Sequence, residues 1–263
     1  MSHWVRFAHA DDSIGWGEIK GDLIVVHSNA PWQNPVETGE KLPASGARLL
    51  APVEPRCFAG LWNNFHAVAA KTGAGIPEFP LYFLKSPGSL LDPEGTIRPP
   101  AGYTGRIVYE GELGIVIGRT CSNVDEAEAA AAIFGFTCVN DVTAVELFGD
   151  DPGFSQWARA KGCDSFGPVG PVVATGLDWA SLVVRVSLNG RERQNYPTSD
   201  MILPPARIVS LISREMTLRP GDLIACGTSV GVLPMRPGMV VEVTIDGIGT
   251  LRNRMAGPGD AAC

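Results

Sequence analysis

Two carboxylates, Glu110 and Glu112, interrupt an otherwise apolar run, Tyr109-Glu110-Gly111-Glu112-Leu113-Gly114-Ile115-Val116-Ile117-Gly118. Side chains alternate along a strand, so both acids fall on one face with Val108 and Val116, while Tyr109, Leu113, Ile115 and Ile117 line the other. Strand geometry puts the acids about 7 Å apart, where like charges raise each other's pKa unless a cation joins them. A divalent metal meets that need. Asp141, in Thr137-Cys138-Val139-Asn140-Asp141-Val142-Thr143, is the best third ligand. Three oxygen donors suit a hard ion, Mg²⁺ first with Mn²⁺ or Ca²⁺ compatible, and leave positions for water or substrate; zinc is disfavoured. The competing reading is the solvated face of an edge strand.

Further candidates lie on either side. His66 follows the short apolar strand Cys57–Leu61 and the polar Trp62-Asn63-Asn64, and is the one histidine outside the N-terminal region, where His3, His9 and His27 read as surface or packing residues. It is the choice for general acid/base, against a histidine that merely caps or packs a helix. Glycines Gly73 and Gly75 flank the small-residue segment after it, as in a lid. Lys85 closes the apolar run Leu81–Lys85 and could take a substrate carboxylate, although a lysine ending a strand is ordinarily solvated. Lys161 sits in a segment too rich in Gly and Pro for a regular helix face, which favours a specific aim into a site. Gly227-Thr228-Ser229-Val230-Gly231-Val232 offers Thr228 and backbone N–H groups to an anion, with a tight turn as the alternative. Asn63 and Phe148 are candidates to line the substrate pocket. Cys163 lacks a basic neighbour and is not expected to be a nucleophile.

The elements that would position these groups are mostly strands. The chain has 263 residues, 45% hydrophobic and 19% charged, with 31 Gly and 21 Pro, enough to bury a large core and to favour short strands over a helical bundle. Trp4–Phe7, Ile14–Ile19 and Leu23–Val26 form a small meander, followed by irregular Pro-containing chain; residues 1–50 are expected as a small β domain and 51–263 as the catalytic one. Ser122 and Asp125 open an Ala-rich helix, Val124 to Phe134, stopped by Gly135. Asn189-Gly190 signals a type I′ hairpin, Pro204-Pro205 opens a helix burying Ile208, Leu211 and Ile212, and Asp246-Gly247 turns a last hairpin. Gly257 to Cys263 reads as frayed. The net charge of −7 and the lack of a basic cluster argue against nucleic acid and anionic membranes. No apolar run approaches a bilayer span, no signal-peptide core is evident, and six cysteines without C-x-x-C pairing suit reduced thiols in the cytoplasm.

Read together, Tyr109–Leu113, Asn140-Asp141-Val142-Thr143, Trp157-Ala158-Arg159-Ala160-Lys161, Gly167–Pro171, Met201-Ile202, Pro220-Gly221-Asp222 and Gly227–Val232 resemble the fumarylacetoacetate hydrolase superfamily over residues 55–255. The branch is that of 2-hydroxyhepta-2,4-diene-1,7-dioate isomerases and 5-carboxymethyl-2-oxo-hex-3-ene-1,7-dioate decarboxylases. The resemblance implies a β-rich α+β fold, a mixed β-sandwich roll, usually homodimeric, with Mg²⁺ or Mn²⁺ on Glu110, Glu112 and Asp141. It further implies a small 2-oxo-acid or 1,3-dicarbonyl substrate chelated through its carboxylate and keto oxygens, His66 moving the proton, Lys161 neutralising developing charge, and Thr228 and Lys85 holding carboxylate oxygens. Two departures weaken a hydrolytic assignment: Ala69 stands where many hydrolytic members carry a glutamate, and Val145-Glu146-Leu147-Phe148 replaces the family's Arg-Asp-x-Gln. Ser229 also replaces a common proline. The expected reaction is therefore enolisation leading to isomerisation or decarboxylation. Hydrolytic cleavage of an acylpyruvate or fumarylacetoacetate-like diketone is the runner-up, and a non-catalytic metabolite-binding protein on the same fold is the alternative of another class.

Overall fold

Alternation along the strand Gly111–Ile117 sorts its side chains between two cores. Leu113, Ile115 and Ile117 join Val184, Val186, Val243 and Ile245 in the larger apolar cluster, whereas Val116 joins Val139, Val169, Val173 and Leu223 in the smaller. Both faces of this strand are therefore covered, and Glu112 is fully buried. The computed structural model describes residues 1–257, Gly259 and Asp260.

The strand runs through the middle of a large mixed sheet. In spatial order its principal strands are Glu37–Pro43, Leu23–His27, Ile14–Lys20, His3–Ala8, Gly167–Ala174, Ile133–Asn140, Gly111–Ile117, Leu223–Ala225, Phe58–Trp62 and Leu81–Lys85. Most neighbours are antiparallel, but Leu223–Ala225 and Phe58–Trp62 run parallel, with Leu223 opposite Phe58. A second sheet is built on the hairpin Val183–Leu188 and Arg191–Pro197, the hairpin Val240–Ile245 and Gly249–Met255, and short Thr96–Ile97. The fold is thus β-rich α+β, as expected. Asn189 and Gly190 both take positive φ, 48° and 71°, as a type I′ turn requires.

The N-terminal meander is continuous with this sheet. His3 and Trp4 pair with Ala174 and Val173, while Arg6–Ala8 on the same edge pair with Arg48–Leu50. Several strands were not foreseen, among them Gly167–Ala174, read from the sequence only as a Gly- and Pro-rich stretch. Glu37–Pro43 and Arg48–Leu50 lie where irregular chain was expected, because Glu37–Pro43 carries almost no buried side chain and is a strand only through pairing with Leu23–His27.

Among the described residues four α-helices form: α1 His66–Thr72, α2 Glu126–Ala132, α3 Trp157–Lys161 and α4 Pro205–Ser213. Helix α4 buries Ile208, Leu211 and Ile212 as expected. Helix α2 is shorter than expected. Its cap is Asp125, whose carboxylate accepts from Glu128 N–H at 2.8 Å while Glu128 returns to Asp125 N–H, a capping box one turn later than Ser122. Nor does Gly135 stop it: the chain passes directly at Ile133 into the strand that ends at Asn140. Lys161, placed by composition in irregular chain, is instead the last residue of α3. That five-residue helix is held by ring contacts, Trp157 stacking on Phe83 at 5.3 Å and meeting Phe148 edge-on at 4.6 Å. Of the C-terminal stretch expected to fray, Pro258 and Ala261–Cys263 lie outside the described residues, whereas the Asp260 carboxylate accepts from Gly257 N–H at 2.6 Å and pairs with Arg254.

Asp222 shows how the two parallel strands are started together. Its buried carboxylate accepts N–H groups from Arg56 and Cys57 at 3.0 and 2.8 Å through one oxygen, and from Arg219 at 2.7 Å through the other. Asp222→Asn keeps one acceptor oxygen but turns an NH₂ toward a donor, so at least one buried N–H loses its partner. The expected cost is about 1–3 kcal/mol, read as a lower urea midpoint at unchanged slope.

Candidate functional site

The sheet brings Glu110, Glu112 and Asp141 together. Glu112 lies in the strand Gly111–Ile117, and Gly111 pairs with Asn140 on the neighbouring strand, so Asp141 emerges beside Glu110. Expected within one continuous strand from Tyr109, Glu110 instead precedes the first strand residue, Gly111. Its position is fixed by its own N–H on Asn140 Oδ1 at 3.0 Å and by its carbonyl accepting from Asp141 N–H at 2.8 Å. One carboxylate oxygen from each acid lies within 4.8 Å of the others. Oxygens on opposite sides of a hard cation stand about 4–5 Å apart, given metal–oxygen distances of about 2.0–2.6 Å.

Two lysines complete the charge pattern. Lys161, from the end of α3, donates to Glu110 Oε2 at 2.6 Å and to Asp141 Oδ2 at 2.5 Å. Lys85 is fully buried and donates to Asp141 Oδ1 at 2.6 Å and to the Lys161 carbonyl at 2.5 Å. The structure therefore ties Lys85 to a carboxylate of the triad. Burial pushes Asp141 up, but Lys161 and Lys85 outweigh it and hold the carboxyl below its ordinary value. Burial raises Glu112 well above the usual range, and the Asp141 and Glu110 charges add to it. Burial also raises Glu110, against the pull of Lys161. For Lys161 burial opposes the charge, yet Asp141 and Glu110 win and its ammonium is strengthened; for Lys85 burial wins and its pKa falls.

Glu112 has unmet capacity. Its Oε2 accepts from Gly227 N–H at 2.7 Å, while Oε1 is buried without a partner among the described residues. Gly227 makes that contact in a conformation with φ +89°, and a Cβ there would press on the Leu61 carbonyl at 3.2 Å, so the loop requires glycine. The adjacent Thr228 hydroxyl donates to the Gly111 carbonyl and accepts from Gln194 Nε2, both at 2.9 Å. Its proton is thus committed to the strand that carries Glu112.

The remaining sequence candidates, His66, Asn63 and Phe148, make no hydrogen bond to the carboxylates among the described residues. His66 opens α1 and is exposed. Buried Ala69 lies three residues on. Asn63, in a left-handed conformation at φ 57°, donates to the Gly75 carbonyl at 2.9 Å and so closes the segment that carries α1. Phe148 packs on Trp157, and Phe83 lies 5.1 Å from Lys161 Nζ, making an aromatic wall beside the ammonium. Sequence reasoning missed three supporting residues. Thr143 donates to Glu110 Oε1 at 3.2 Å, Asn140 receives the Glu110 N–H, and Gln194 reaches from the second sheet to accept Gly111 N–H at 3.1 Å. Asn140 and Thr143 stood in a quoted motif; Gln194 had only its polarity in a strand as a signal.

The donor set fits a divalent cation. Three carboxylates against two ammonium groups leave a formal charge of −1, with one buried oxygen unpaired. An anionic substrate would be repelled unless another cation joined the site.

Comparison with known proteins agrees with this geometry. The family model for the fumarylacetoacetate hydrolase C-terminal region matches residues 57–256, and one for the Rv2993c-like N-terminal region matches residues 2–52. The protein Rv2993c of Mycobacterium tuberculosis is 40% identical over 97% of this chain and 95% of its own length. Oxaloacetate tautomerase YisK of Bacillus subtilis is 35% identical, covering 90% of this chain and 84% of that protein. The solved structure of 2-hydroxyhepta-2,4-diene-1,7-dioate isomerase from Mycobacterium marinum superposes with a TM-score of 0.88 at 37% identity, over 99% of this chain and 100% of that one. On sequence, fold and carboxylate centre alike, this chain belongs to the fumarylacetoacetate hydrolase family.

Proposed function

We propose that the protein is a divalent-metal-dependent tautomerase or isomerase of a small 2-oxo or 2-hydroxy-dienoic acid. The observation that carries this reading is the triad Glu110, Glu112 and Asp141, with Glu112 Oε1 buried and unpaired. Glu110, Glu112 and Asp141 would hold Mg²⁺ or Mn²⁺, which supplies Lewis-acid polarisation of the substrate carboxylate and keto oxygens.

The chain's own residues divide the remaining work. Lys161 keeps its proton, since two carboxylates strengthen its ammonium, so it acts on the developing enolate charge and is unsuited to abstract a proton. Lys85 holds Asp141 in place from behind. Thr228 and Gln194 fix the Gly111 backbone, and with it the aim of Glu112. His66 opens the helix just after Asn64, which is bonded to the Cys226 carbonyl beside the Gly227 loop, and carries the proton between the carbon and oxygen ends of the enol. Ala69 offers no carboxylate to help His66 activate water, which favours proton transfer over hydrolysis.

The test is to follow enol absorbance and product mass together for metal-stripped protein given oxaloacetate and a panel of acylpyruvates, with and without Mg²⁺. Metal-dependent enol–keto interconversion without change of mass is the expected result. Loss of CO₂ would make the enzyme a decarboxylase, and two acids gaining the elements of water would make it a hydrolase. A readout independent of turnover is thermal unfolding. At one hundred times its dissociation constant a ligand adds about 2.7 kcal/mol, an increase of about 5–10 °C in Tm for a chain of this size. Glu112→Gln should abolish that increase; an unchanged Tm for the wild type up to millimolar Mg²⁺ and Mn²⁺ would refute the metal assignment.

A further inference from the structure

A polar recess of about 380 Å³ opens beside the N-terminal meander, and none of the three carboxylates lines it. It sits where the parallel strands Phe58–Trp62 and Leu223–Ala225 begin, whereas Gly227, bonded to Glu112, follows the end of the second of them. One wall carries two indoles. Trp16, from the strand Ile14–Lys20, and Trp32, from the loop after Leu23–His27, meet edge to face with centroids 5.6 Å apart. Trp32 lies directly on Gly221, whose φ is +86° and where a Cβ would come within 3.0 Å of the ring.

The other wall carries Arg56 and Arg219. Their backbone N–H groups are fastened to the same buried Asp222 carboxylate, at 3.0 and 2.7 Å, so both side chains start from one rigid point. Neither guanidinium has a carboxylate or hydrogen-bond partner among the described residues. The one acid lining the recess, Glu54, is engaged by Arg6 at 2.7 Å. The other polar lining groups, Gln33 and Thr120, are neutral. A chain of net charge −7 therefore places two guanidinium groups without a side-chain partner among the described residues beside two indoles.

We propose that this recess is a second ligand site, selective for a flat aromatic anion whose carboxylate or phosphate is gripped by Arg56 and Arg219 and whose ring lies against Trp16 and Trp32. Guanidinium forks match the paired oxygens of either anion, and indole faces supply rigid apolar area to the ring. The volume admits one or two fused rings with an acidic group.

The test uses the full-length, Mg²⁺-saturated protein, titrated with 1-naphthoate and with adenosine monophosphate as carboxylate and phosphate probes. Cyclohexanecarboxylate and inorganic phosphate serve as non-aromatic controls, and calorimetry and tryptophan fluorescence as readouts. At least one aromatic probe should bind once per chain, about tenfold or more tighter than its control, and which one does so identifies the acidic group. The exposed pair Arg56→Gln/Arg219→Gln should weaken it about 100-fold, about tenfold for each charge-assisted hydrogen-bonding group removed, with Tm unchanged. Trp32→Leu should erase the preference for the aromatic probe. Glu112→Gln should leave binding intact, which separates this site from the carboxylate centre. The inference is overturned if neither aromatic probe binds at 5 mM on the scale of ~millimolar affinities, or if binding survives the arginine pair and disappears with Glu112→Gln.

Discussion

Asp141→Ala is expected to cost about 3–5 kcal/mol of folding stability in metal-free protein, together with all metal-supported turnover. Asp141 is the shared partner of two buried ammonium groups, and its two oxygens accept from Lys85 and Lys161 separately. Among the described residues Lys85 donates to no other carboxylate, so truncation leaves a fully buried cation facing the Lys161 carbonyl and the Phe58 ring, whose centroid is 5.8 Å away. Lys161 retains Glu110, which limits the loss on its side. Urea unfolding in the presence of a chelator measures the effect, and Asp141→Ala combined with Lys85→Met should recover a large part of it, because the stranded charge goes with the lysine. A loss below about 1 kcal/mol for the single variant would show that Lys85 is not held as an ion, given how costly an uncompensated buried charge is.

His66→Ala should lower kcat about 10²–10⁴-fold while leaving the Mg²⁺-dependent increase in Tm intact, since general acid–base groups contribute on that scale. The separation of the two readouts is the point. His66 makes no hydrogen bond to the triad among the described residues, so its removal leaves the cation site standing. Its exposure also makes the defect open to rescue by added imidazole. Exchange of the substrate C3 proton in D₂O reports the step directly. Wild-type exchange in the variant would transfer the proton role to another group and leave His66 as an entrance residue.

The centre was legible in the sequence where a local rule carried it. Period-two alternation placed Glu112 opposite Leu113 and Ile115, and the strand ending at Asn140 delivered Asp141. Turn chemistry located Asn189-Gly190, because few residues take positive φ twice in succession. What escaped depended on distant partners. Composition argued against a helix at Lys161, yet rings from residues 83 and 148 hold Trp157 and impose one. The free end of Lys85 could be read as solvated or substrate-facing from its own neighbours, and only the fold reveals Asp141 against it. Strand Glu37–Pro43 has no apolar period, so nothing in its residues announces the pairing that Leu23–His27 provides.

The shared edge of the first strand sets a timetable for synthesis. Ser2 donates its N–H to the Thr175 hydroxyl at a separation of 173 residues, and the His3–Trp4 pairing spans a similar interval. At about 5–20 residues per second, a ribosome needs about 9–35 s to supply that partner. Arg48–Leu50 covers Arg6–Ala8 early, since it belongs to the same N-terminal segment. His3 and Trp4 must wait, presenting open backbone donors and acceptors to any strand that arrives first. The nascent meander is thus half-sealed, and the interval before residue 173 emerges is when the chain is most open to pairing with the wrong strand.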